Sequence, residues 1–595
     1  MKQKIILTFL MLLAVSIASA YDIEIDGIYY NFNDDGTSVS VTYATYINEY
    51  GDEGRIQYYG DLIIPESIEF YGMTFSVTGI GDYAFYGNYG LSSVNIPESI
   101  ISIGEYSFCS CTGLSSINIP SSVTFIADRA FSGCSWLYNM TVSSDNPYFD
   151  SRDNCNAIIE TASNTLIAGC QNTMIPHSIT SIGDFAFEDC TNLVSITIPD
   201  SVISIGYGAF GNCNSMTSVI IGNSVQTIGT SAFDHCSSLT SLILPNSVKT
   251  IEWWAFSECT KLQSVNIPNS VTNIGNEAFL RCTSLASINI PSSVTAINQS
   301  TFSGCKSLAQ VTLPNSIKTI AYGAFNGCKA LTDITFPSSL ESIGTLAFAD
   351  CSLLTTITIP ASVTSIGNNP FTGCSALTSI VVDNNNANYD SRDNCNAIIE
   401  TASNTLISGC QNTIIPNSVV SIGVYSFEYC KNLTSIVIPN SVTSIAKNAF
   451  YYCSNMTNLT IGKSVTSIGD RAFYGCNGLT DVTCLATIPP SVSYYTFSTN
   501  NYNDATLYVP QASVEAYRTA ANWSRFTHIE GIGVVEPGDI DGDGEMNIKD
   551  VTDLIDMLLA GTINTENYPA ADVNGDGSID VADVTTLIDM LLASN

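Results

Sequence analysis

The chain has 595 residues, and although only 12% of them are charged, the formal net charge is -35. This balance argues against a nucleic-acid partner, because proteins that bind nucleic acids cluster Lys and Arg against the phosphates. It also argues against attraction to an anionic membrane surface by charge alone.

The first twenty residues have the pattern of a secretory signal peptide. Lys2 and Lys4 give a positive start, residues 5–17 are almost wholly apolar, and residues 18–20 (ASA) are small enough for a cleavage site. No other run approaches the ~18 apolar residues of a transmembrane helix. We expect the mature chain to begin near Tyr21 and to be extracellular, attached to the cell surface or to a scaffold.

A β-rich N-terminal cap is predicted for residues 21–78. Apolar residues alternate in residues 21–25 (YDIEI), and turn residues such as residues 34–36 (DDG) separate the short runs. A solenoid needs such a cap, because its first unit would otherwise expose an apolar end.

A 23-residue repeat occupies most of the chain. Its anchor is a Leu or Met that recurs at steps of 23, except for two steps of 56. A Phe stands six residues before every anchor, and a Cys stands three residues before every anchor but the first. The anchors are Leu91, Leu114, Leu137, Leu193, Met216, Leu239, Leu262, Leu285, Leu308, Leu331, Leu354, Leu377, Leu433, Met456 and Leu479. This self-similarity predicts a stacked solenoid, in which each unit buries its apolar face against its neighbours.

The cysteines at the repeat position, Cys111 through Cys476, lie between a Phe and a Leu that are both predicted to be buried. A free thiol in such a place behaves as a small hydrophobic group. We therefore interpret this series as core packing rather than as disulfides or metal ligands. No CxxC pair with a supporting His occurs, which argues against zinc.

The unit from Leu285 to Ser307 shows the repeat clearly: Leu285, Ile288 and Ile290 point inward from a short strand, and Pro291 ends it. This unit resembles the leucine-rich repeats of BspA-like bacterial surface proteins, over roughly residues 79–484. The resemblance implies an α+β repeat solenoid, a curved array of short parallel strands with about 23 residues per repeat. It also implies adhesion to host or microbial proteins.

Each 56-residue step contains two repeat lengths and ten further residues. Residues 150–173 and 390–413 differ at one position only, so a large block of the chain is duplicated. We predict a hairpin-like insertion in each step, at about residues 143–175 and 383–415.

The hairpins bear on four further cysteines. If Glu160 pairs with Thr165, Cys155 lies opposite Cys170, and the second copy places Cys395 opposite Cys410. Directly opposed cysteines in a non-hydrogen-bonded pair come within disulfide range. The two readings left open are two disulfides, or two more pairs of buried thiols.

After Leu479 the repeat pattern decays, and residues 485–535 are predicted to close the solenoid. Residues 512–520 have the composition of a helix, and Trp523 and Phe526 supply apolar cover.

Two copies of a twelve-residue acidic loop lie 33 residues apart, at residues 539–550 and 572–583. Calcium takes six to eight oxygens, which such a loop supplies from positions 1, 3, 5, 7, 9 and 12 around a Gly at position 6. Position 12 is Asp in both copies, and position 7 would donate a main-chain carbonyl. We predict two calcium ions, held by Asp539, Asp541, Asp543, Glu545, Asn547 and Asp550, and by Asp572, Asn574, Asp576, Ser578, Asp580 and Asp583.

A helix with a buried apolar stripe is predicted after each loop. The stripe consists of Val551, Leu554, Ile555, Leu558 and Leu559, and 33 residues later of Val584, Leu587, Ile588, Leu591 and Leu592. No helix-length segment precedes the first loop, so the loops form half EF-hands. Residues 536–595 thereby resemble the small all-α type I dockerin family.

The dockerin resemblance implies a partner, the cohesin domain of a scaffolding protein in a cellulosome-like assembly. Dockerins often carry a hydroxyl pair at loop positions 10 and 11 that helps to choose the cohesin. Here these positions hold Ile548-Lys549 and Val581-Ala582.

No catalytic constellation is recognisable, and we predict that the protein is not an enzyme. His235 stands beside Cys236, but Cys236 occupies the repeat position of the buried series. The chain has no phosphate-binding glycine loop, no G-x-S-x-G elbow and no HExxH motif.

Outward-facing strand residues such as Ser264 and Asn266 are small and polar, without the aromatic platforms that stack on sugars. Aromatic residues interrupt the polar surface elsewhere, and aromatic residues are enriched at binding hot spots. We predict a contact patch that contains Tyr207, Trp253, Trp254 and Tyr322, with a packing role as the alternative for Trp254.

The sequence therefore predicts a secreted, non-catalytic binding protein, whose solenoid engages an extracellular protein ligand and whose dockerin anchors it to a scaffold through calcium. The alternative is a carbohydrate-associated accessory subunit of a complex that degrades plant fibre.

Overall fold

The computed structural model describes residues 20–47, 53–532, 537–540, 546–560 and 568–593. The predicted signal peptide lies outside these residues, except for Ala20. The chain divides into two compact units, Met1–Leu377 with Val382–Asn388, and Thr378–Val381 with Tyr389–Asn595.

The N-terminal residues of the first unit form β-structure, as their alternating pattern predicts. Antiparallel pairing joins the first three strands, and Ser38–Thr42 then pairs in parallel with Met73–Ile80, which leads into the repeats. The strands are Ile23–Ile25, Ile28–Phe32, Ser38–Thr42, Thr45–Ile47, Glu53–Arg55, Ser67–Phe70 and Met73–Ile80. This end of the stack is therefore closed by a sheet whose apolar side chains, such as Val39 and Val77, are fully buried.

Every repeat but the one anchored at Leu331 contributes one strand of three to five residues at or directly after its anchor, which confirms the predicted parallel solenoid. In the first unit these strands are Gly60–Ile63, Leu91–Asn95, Ser116–Ile119, Asn139–Val142, Ser195–Thr197, Ser218–Ile220, Ser241–Ile243, Ser264–Asn266, Ser287–Asn289, Gln310–Thr312 and Thr356–Ile359. The strand Ser379–Val382 spans the boundary between the units. In the second unit they are Ser435–Ile438, Asn458–Ile461, Asp481–Cys484, Thr506–Pro510 and His528–Ile532.

A second series of strands, each two residues long, runs along another side of the solenoid. In the first unit these are Ser102–Ile103, Phe125–Ile126, Ser181–Ile182, Ser204–Ile205, Thr227–Ile228, Thr250–Ile251, Asn273–Ile274, Ala296–Ile297, Thr319–Ile320, Ser342–Ile343 and Ser365–Ile366. In the second unit they are Ser421–Ile422, Ser444–Ile445, Ser467–Ile468 and Ser491–Val492. Ile297, which the repeat pattern does not mark as part of a strand, lies in this series.

The remaining side of each repeat is a chain of turns that also bonds to the next repeat. Phe302 donates its backbone N–H to the carbonyl of Ala324 at 2.9 Å, and Ser300 does so to Tyr322 at 2.9 Å. Neighbouring repeats are thus hydrogen-bonded along three sides. These bonds satisfy backbone groups that burial would otherwise leave unpaired.

The repeated phenylalanines form a continuous stack inside the solenoid. From Phe187 to Phe348, neighbouring rings lie 4.9–5.6 Å apart, with interplanar angles of 7–13°. These rings are fully buried. The side chain six residues before each anchor is therefore the centre of the core, as the repeat predicts.

The repeated cysteines are buried free thiols in the described residues, apart from the partly buried Cys430. Where one repeat directly follows another, the thiol donates a hydrogen bond to the carbonyl of the Phe one repeat earlier, as Cys259 does to Phe233 and Cys282 to Phe256, both at 3.2 Å. Burial raises the pKa of Cys305 to about 12, so this thiol keeps the proton that it donates. The cysteine is both a packing group and a link between repeats.

The two predicted hairpins are present and are part of the sheets. Ala157–Glu160 pairs with Thr165–Gly169, and the latter pairs in parallel with Ser181–Ile182 of the two-residue series. The hairpin strands are Phe149–Asp150, Ala157–Glu160 and Thr165–Gly169 in the first unit, and Tyr389–Asp390, Ala397–Glu400 and Thr405–Gly409 in the second. A hairpin therefore replaces a repeat within the stack instead of projecting from it.

The hairpin register corrects the predicted alignment of the cysteines. Glu160 pairs with Thr165 as expected, but a β-bulge between Ile158 and Ile159 shifts the pairing by one residue. A shift of one residue turns a side chain to the other face of the strand. Cys170 consequently lies beside Asn156, whose carbonyl accepts its thiol at 3.3 Å.

The same shift, between Ile398 and Ile399, occurs in the second hairpin, where the Cys410 thiol donates to the Asn396 carbonyl at 3.3 Å. Cys155, Cys170, Cys395 and Cys410 are all free thiols, so the structure has the buried-thiol alternative and not the two disulfides.

A partly buried glycine fits each hairpin to the next repeat. A Cβ on Gly169 would lie 2.1 Å from the ring of Phe187, and Gly409 has the same relation to Phe427. Only glycine fits at this distance, because any side chain would displace a fully buried ring. The hairpin thereby supplies a flat surface for the first ring of the following stack.

The C-terminal end of the solenoid is closed by short helices and aromatic packing. The ring of Phe497 continues the stack on Phe473 at 5.2 Å, and Trp523 is buried with its indole N–H donating to the Pro490 carbonyl at 2.7 Å. The closing α-helices are Thr499–Asp504 and Val514–Thr519; in the described residues of the C-terminal module, Ile548–Ala560 and Val581–Ala593 are also α-helical.

We predict that Phe256→Ala destabilises the solenoid by about 4 kcal/mol, because it removes a ring packed between two others and leaves a cavity. Urea unfolding followed by far-UV circular dichroism measures the change. The control is Phe125→Ala, since Phe125 is 58% exposed, and its expected effect is within about 0.5 kcal/mol. Equal unfolding midpoints for the two variants would show that the stack does not carry this stability.

Candidate calcium site and contact surfaces

Each of the two acidic loops leads directly into a helix, and the helix begins at loop position 10. These helices are Ile548–Ala560 and Val581–Ala593. Three predicted ligands of the first loop, Asp541, Asp543 and Glu545, lie outside the described residues. The geometry of the site is therefore described from the second loop, with the flanking residues of the first.

The second loop is held in a tight turn by its own side chains. Gly577, at position 6, has a φ of +87°, a left-handed conformation that favours glycine. Its N–H donates to Asp572 Oδ2 at 3.0 Å, while Ser578 N–H donates to Asp576 Oδ1 at 2.9 Å. These contacts bring the oxygens of positions 1 and 5 toward the centre of the turn.

The aspartate at position 12 fastens the two ends of each loop. Asp583 is fully buried; its Oδ1 accepts the N–H of Asn574 at 3.1 Å and its Oδ2 accepts that of Asp580 at 2.8 Å. Asp550 likewise accepts the N–H groups of Ile540 and Asn547, at 2.7 and 2.8 Å. Burying a carboxylate costs free energy, which these backbone hydrogen bonds offset in part and which a bound cation would offset further.

The donor set of the second loop fits calcium. Its candidate ligands offer carboxylate, amide and main-chain oxygens, which are the ligands that this hard cation takes. Asp572 Oδ1 is buried and has no hydrogen-bond partner, which leaves it available to a cation. The fit is one of donor chemistry and not of spacing, since within the described ranges no three acidic, Cys or His side chains lie close enough together to hold a metal ion.

The predicted apolar stripe of the two helices is buried on one side only. Val551, Leu554, Val584 and Leu587 are buried and form the core of the module together with Ala571 and Val573. Leu558 and Leu591 are partly buried against this core. Four members of the stripe are exposed instead, which corrects the prediction: Ile555, Leu559, Ile588 and Leu592.

Loop position 10 adds two further exposed apolar residues. Ile548 is 74% exposed and Val581 is 73% exposed, and they start their helices at equivalent places. Lys549, at position 11, has its ammonium 3.6 Å from Asp553. Each helix therefore carries an exposed apolar edge, repeated after 33 residues.

The aromatic residues predicted as a contact patch are spread along one repeat position. Tyr207, Trp253 and Tyr322 are separated by two and by three repeats, and all are exposed. Trp254 is partly committed to packing: its ring is edge-on to Trp253 at 6.2 Å, and its N–H donates to Glu277 at 2.8 Å. The structure thus brings Trp253 and Trp254 together, whereas Tyr207 and Tyr322 stand apart from them.

The pairing of His235 with Cys236 is not formed. His235 lies 3.0 Å from Asp234, whereas the Cys236 thiol is fully buried and donates to the Phe210 carbonyl at 3.2 Å.

A second aromatic surface was missed by the sequence analysis. Tyr89, Trp136 and Tyr138 line a groove in the first three repeats, together with Thr112, Gly113 and Ser115. The signal is present in the sequence: Trp136 and Tyr138 flank the anchor Leu137, at positions that are small or polar in most repeats.

The fold and the loop module together define a class, a leucine-rich repeat solenoid that carries a half EF-hand docking module. The family model described as BspA type leucine rich repeat region (6 copies) matches residues 66–158, 157–286, 272–398 and 404–519. The chain therefore belongs to the BspA-type leucine-rich repeat family. The model of the dockerin type I domain matches residues 537–592.

Solved structures similar to the chain include bacterial leucine-rich repeat proteins. One from Bacteroides ovatus is 25% identical, with coverage of 78% of this chain and 94% of that one and a TM-score of 0.34. A leucine rich cell surface protein from Faecalibacterium prausnitzii is 20% identical, with coverages of 87% and 95% and a TM-score of 0.27. One from Eubacterium ventriosum is 21% identical, with coverages of 56% and 95% and a TM-score of 0.35. No curated protein matches the chain.

These families set the coarse function. Leucine-rich repeat solenoids and dockerins are non-catalytic, type I dockerins bind calcium and dock onto cohesins, and proteins of both kinds are typically extracellular or at the cell surface. Among the helices of the described ranges, none has the length and apolar character needed to cross a membrane.

We predict that Asp572→Asn weakens calcium binding by the second loop at least about 10-fold, because it removes a charged oxygen ligand from position 1. Isothermal titration of calcium into the full-length chain measures the two sites. Asp589→Asn is the control, since it removes the same charge from an exposed place on the following helix. Identical titrations of the two variants would contradict the assignment of Asp572.

Proposed function

We propose that this is a secreted, non-catalytic binding protein, anchored through its dockerin to a cohesin domain of a scaffolding protein in the presence of two calcium ions. The observation that supports the proposed anchoring is the pair of exposed apolar helix edges directly after the calcium loops. Surface of this kind is common at the core of protein interfaces and costly to leave in water.

Calcium acts in this proposal by fixing the orientation of the two helices. The loops hold most of the acidic residues of the module, and the buried Asp550 and Asp583 link each loop to its helix. Neutralising these charges favours the folded loop, so cation binding and helix placement are coupled. The first ion would use Asp539, Asp541, Asp543, Glu545, Asn547 and Asp550.

The residues at loop positions 10 and 11 carry the choice of partner. Ile548 and Val581 present aliphatic side chains, so the complementary surface is apolar rather than a row of hydrogen-bonding groups. A cohesin with an apolar pocket is therefore the expected partner.

We predict calcium-dependent capture of the full-length protein by an immobilised type I cohesin from a panel of such modules, and its loss in chelator. The double variant Ile548→Asp with Val581→Asp should bind at least about 10-fold more weakly, because it places charges in an apolar contact. Aspartate suits the first turn of a helix, so the module itself should keep its fold and its calcium affinity.

The matched control is Ile548→Val with Val581→Ile, which exchanges two aliphatic side chains and should leave capture unchanged. Capture that survives the aspartate variant, or that does not depend on calcium, would refute the proposed anchoring surface.

The solenoid supplies the ligand-binding part of the proposal. Tyr207, Trp253 and Tyr322 form an exposed row at one repeat position that extends over five repeats, or about 24 Å at the spacing of neighbouring strands. Rigid aromatic side chains bury much area at a low entropic cost, which suits them to anchor an extracellular protein ligand.

We predict that the triple variant Tyr207→Ser, Trp253→Ser and Tyr322→Ser loses at least about 10-fold in affinity for immobilised extracellular-matrix proteins that retain the wild type. Surface plasmon resonance with each matrix protein gives the comparison. The control, Tyr71→Ser with Phe125→Ser, removes exposed aromatic rings elsewhere in the same unit. Equal losses in both variants, or no loss in the triple variant, would exclude the row as the contact surface.

A further inference from the structure

The groove at the start of the solenoid differs from the rest of the surface in how its aromatic rings are placed. Tyr89 is 66% exposed, Trp136 is 65% exposed and Tyr138 is 48% exposed. They come from the first and the third repeat and face a common space of ≈ 360 Å³. Large apolar rings that remain this exposed around one concavity mark a binding site.

A glycine in the lining of the groove lets the second repeat pack closely against the first. Gly113 occupies the position directly before the anchor Leu114, and a Cβ there would lie only 2.4 Å from the carbonyl oxygen of Tyr89. In the third repeat the equivalent position is Trp136. The second repeat therefore presents bare backbone beside the indole of its neighbour.

The opposite border is also aromatic. In the first repeat the equivalent position is Gly90, and the ring of Tyr59 lies so close that a Cβ on Gly90 would be 2.2 Å from it. Tyr59 is itself exposed. The bare floor at Gly113 is thus flanked on both sides by rings, across a width of about 10 Å for two repeat steps.

The polar groups of the groove are hydroxyls. Thr112 and Ser115 lie on its floor, and the Ser115 hydroxyl donates to the Ser92 carbonyl at 3.3 Å, which leaves its oxygen able to accept. None of the six residues that line the groove carries a charge. In a chain with a net charge of -35, such a lining selects an uncharged ligand.

These features together point to a sugar chain. The C–H face of a pyranose ring packs on Tyr and Trp, and its hydroxyl groups bond to hydroxyls and backbone carbonyls such as those on this floor. A protein partner would need about 20–30 residues on each side of the interface, far more than the groove offers.

We propose that the groove lined by Tyr89, Thr112, Gly113, Ser115, Trp136 and Tyr138 binds a neutral oligosaccharide, with the sugar ring against Trp136 and Tyr138 and its hydroxyl groups toward the floor. This site goes beyond the proposed function, and it uses none of the residues assigned to cohesin docking or to the protein ligand. The protein would thereby hold a glycan chain near the scaffold to which it is anchored.

The test is affinity electrophoresis of the full-length protein in native gels that contain xyloglucan, mixed-linkage β-glucan, glucomannan or starch. We expect at least one of these neutral polysaccharides to retard the wild type, with an affinity at least about 10-fold lower for Trp136→Ala and for Tyr138→Ala. Both side chains are largely exposed, so the variants should keep the wild-type circular dichroism spectrum.

The controls are Phe125→Ala and Tyr71→Ala, which remove exposed rings outside the groove and outside the proposed protein-binding row, and they should be retarded like the wild type. Absence of retardation in all four gels, or equal retardation of all variants, would overturn the proposal. So would binding of a decaproline peptide that is lost in Trp136→Ala without any retardation by polysaccharide, because the groove would then be a peptide site. Cohesin capture, measured on the same variants, reports separately on the anchoring function.

Discussion

The structure depends on neighbouring repeats having the same length. Where one repeat directly follows another, the two are hydrogen-bonded around the repeat, their Phe rings stack, and the Cys thiol of the second donates to the Phe carbonyl of the first. These contacts can all form together only if each turn has the same length, because one extra residue would displace every later side chain. The constant 23-residue spacing in the sequence follows from that requirement. The hairpins keep the repeats in alignment, because their paired strands take the place of a repeat and join the same sheet.

The repeat explains why the core could be predicted from the sequence. A residue such as Phe256 or Leu262 has the same neighbours in every turn, so one periodic pattern reports burial for the whole array. The series of two-residue strands was not predicted, since two residues are too few for an alternating pattern to be visible. The bulge between Ile158 and Ile159 was missed for a related reason: a local change of register leaves no mark in composition, yet it decides on which face Cys170 lies.

In the candidate calcium site, too, some features could be predicted from the sequence and others could not. Loop spacing and oxygen ligands follow from local sequence, and the buried Asp583 and the left-handed Gly577 agree with them. The exposure of Ile555 and Leu559 could not be predicted from the sequence. An apolar stripe indicates that one face of a helix favours burial, but it does not show how much of that face the neighbouring elements can bury. Two short helices with a six-residue core can bury only the near side of each stripe, and the far side remains exposed. In a module built to be completed by a partner, a stripe that is too wide for its own fold is a sign of docking.

A stacked solenoid also separates the residues that hold the fold from those that meet a ligand. Inward positions are constrained by both neighbours, whereas positions beside the anchor, such as those of Trp136 and Tyr138, leave their side chains exposed. An aromatic side chain can be placed there without disturbing the stack, and next to a glycine it stands beside bare backbone. The strand face has small polar side chains of similar size, such as Ser264 and Asn266, so its surface varies less in shape. Recognition in this protein is therefore expected along the edges of the repeats, where single residues set the shape of the surface, rather than on the broad face of the sheet.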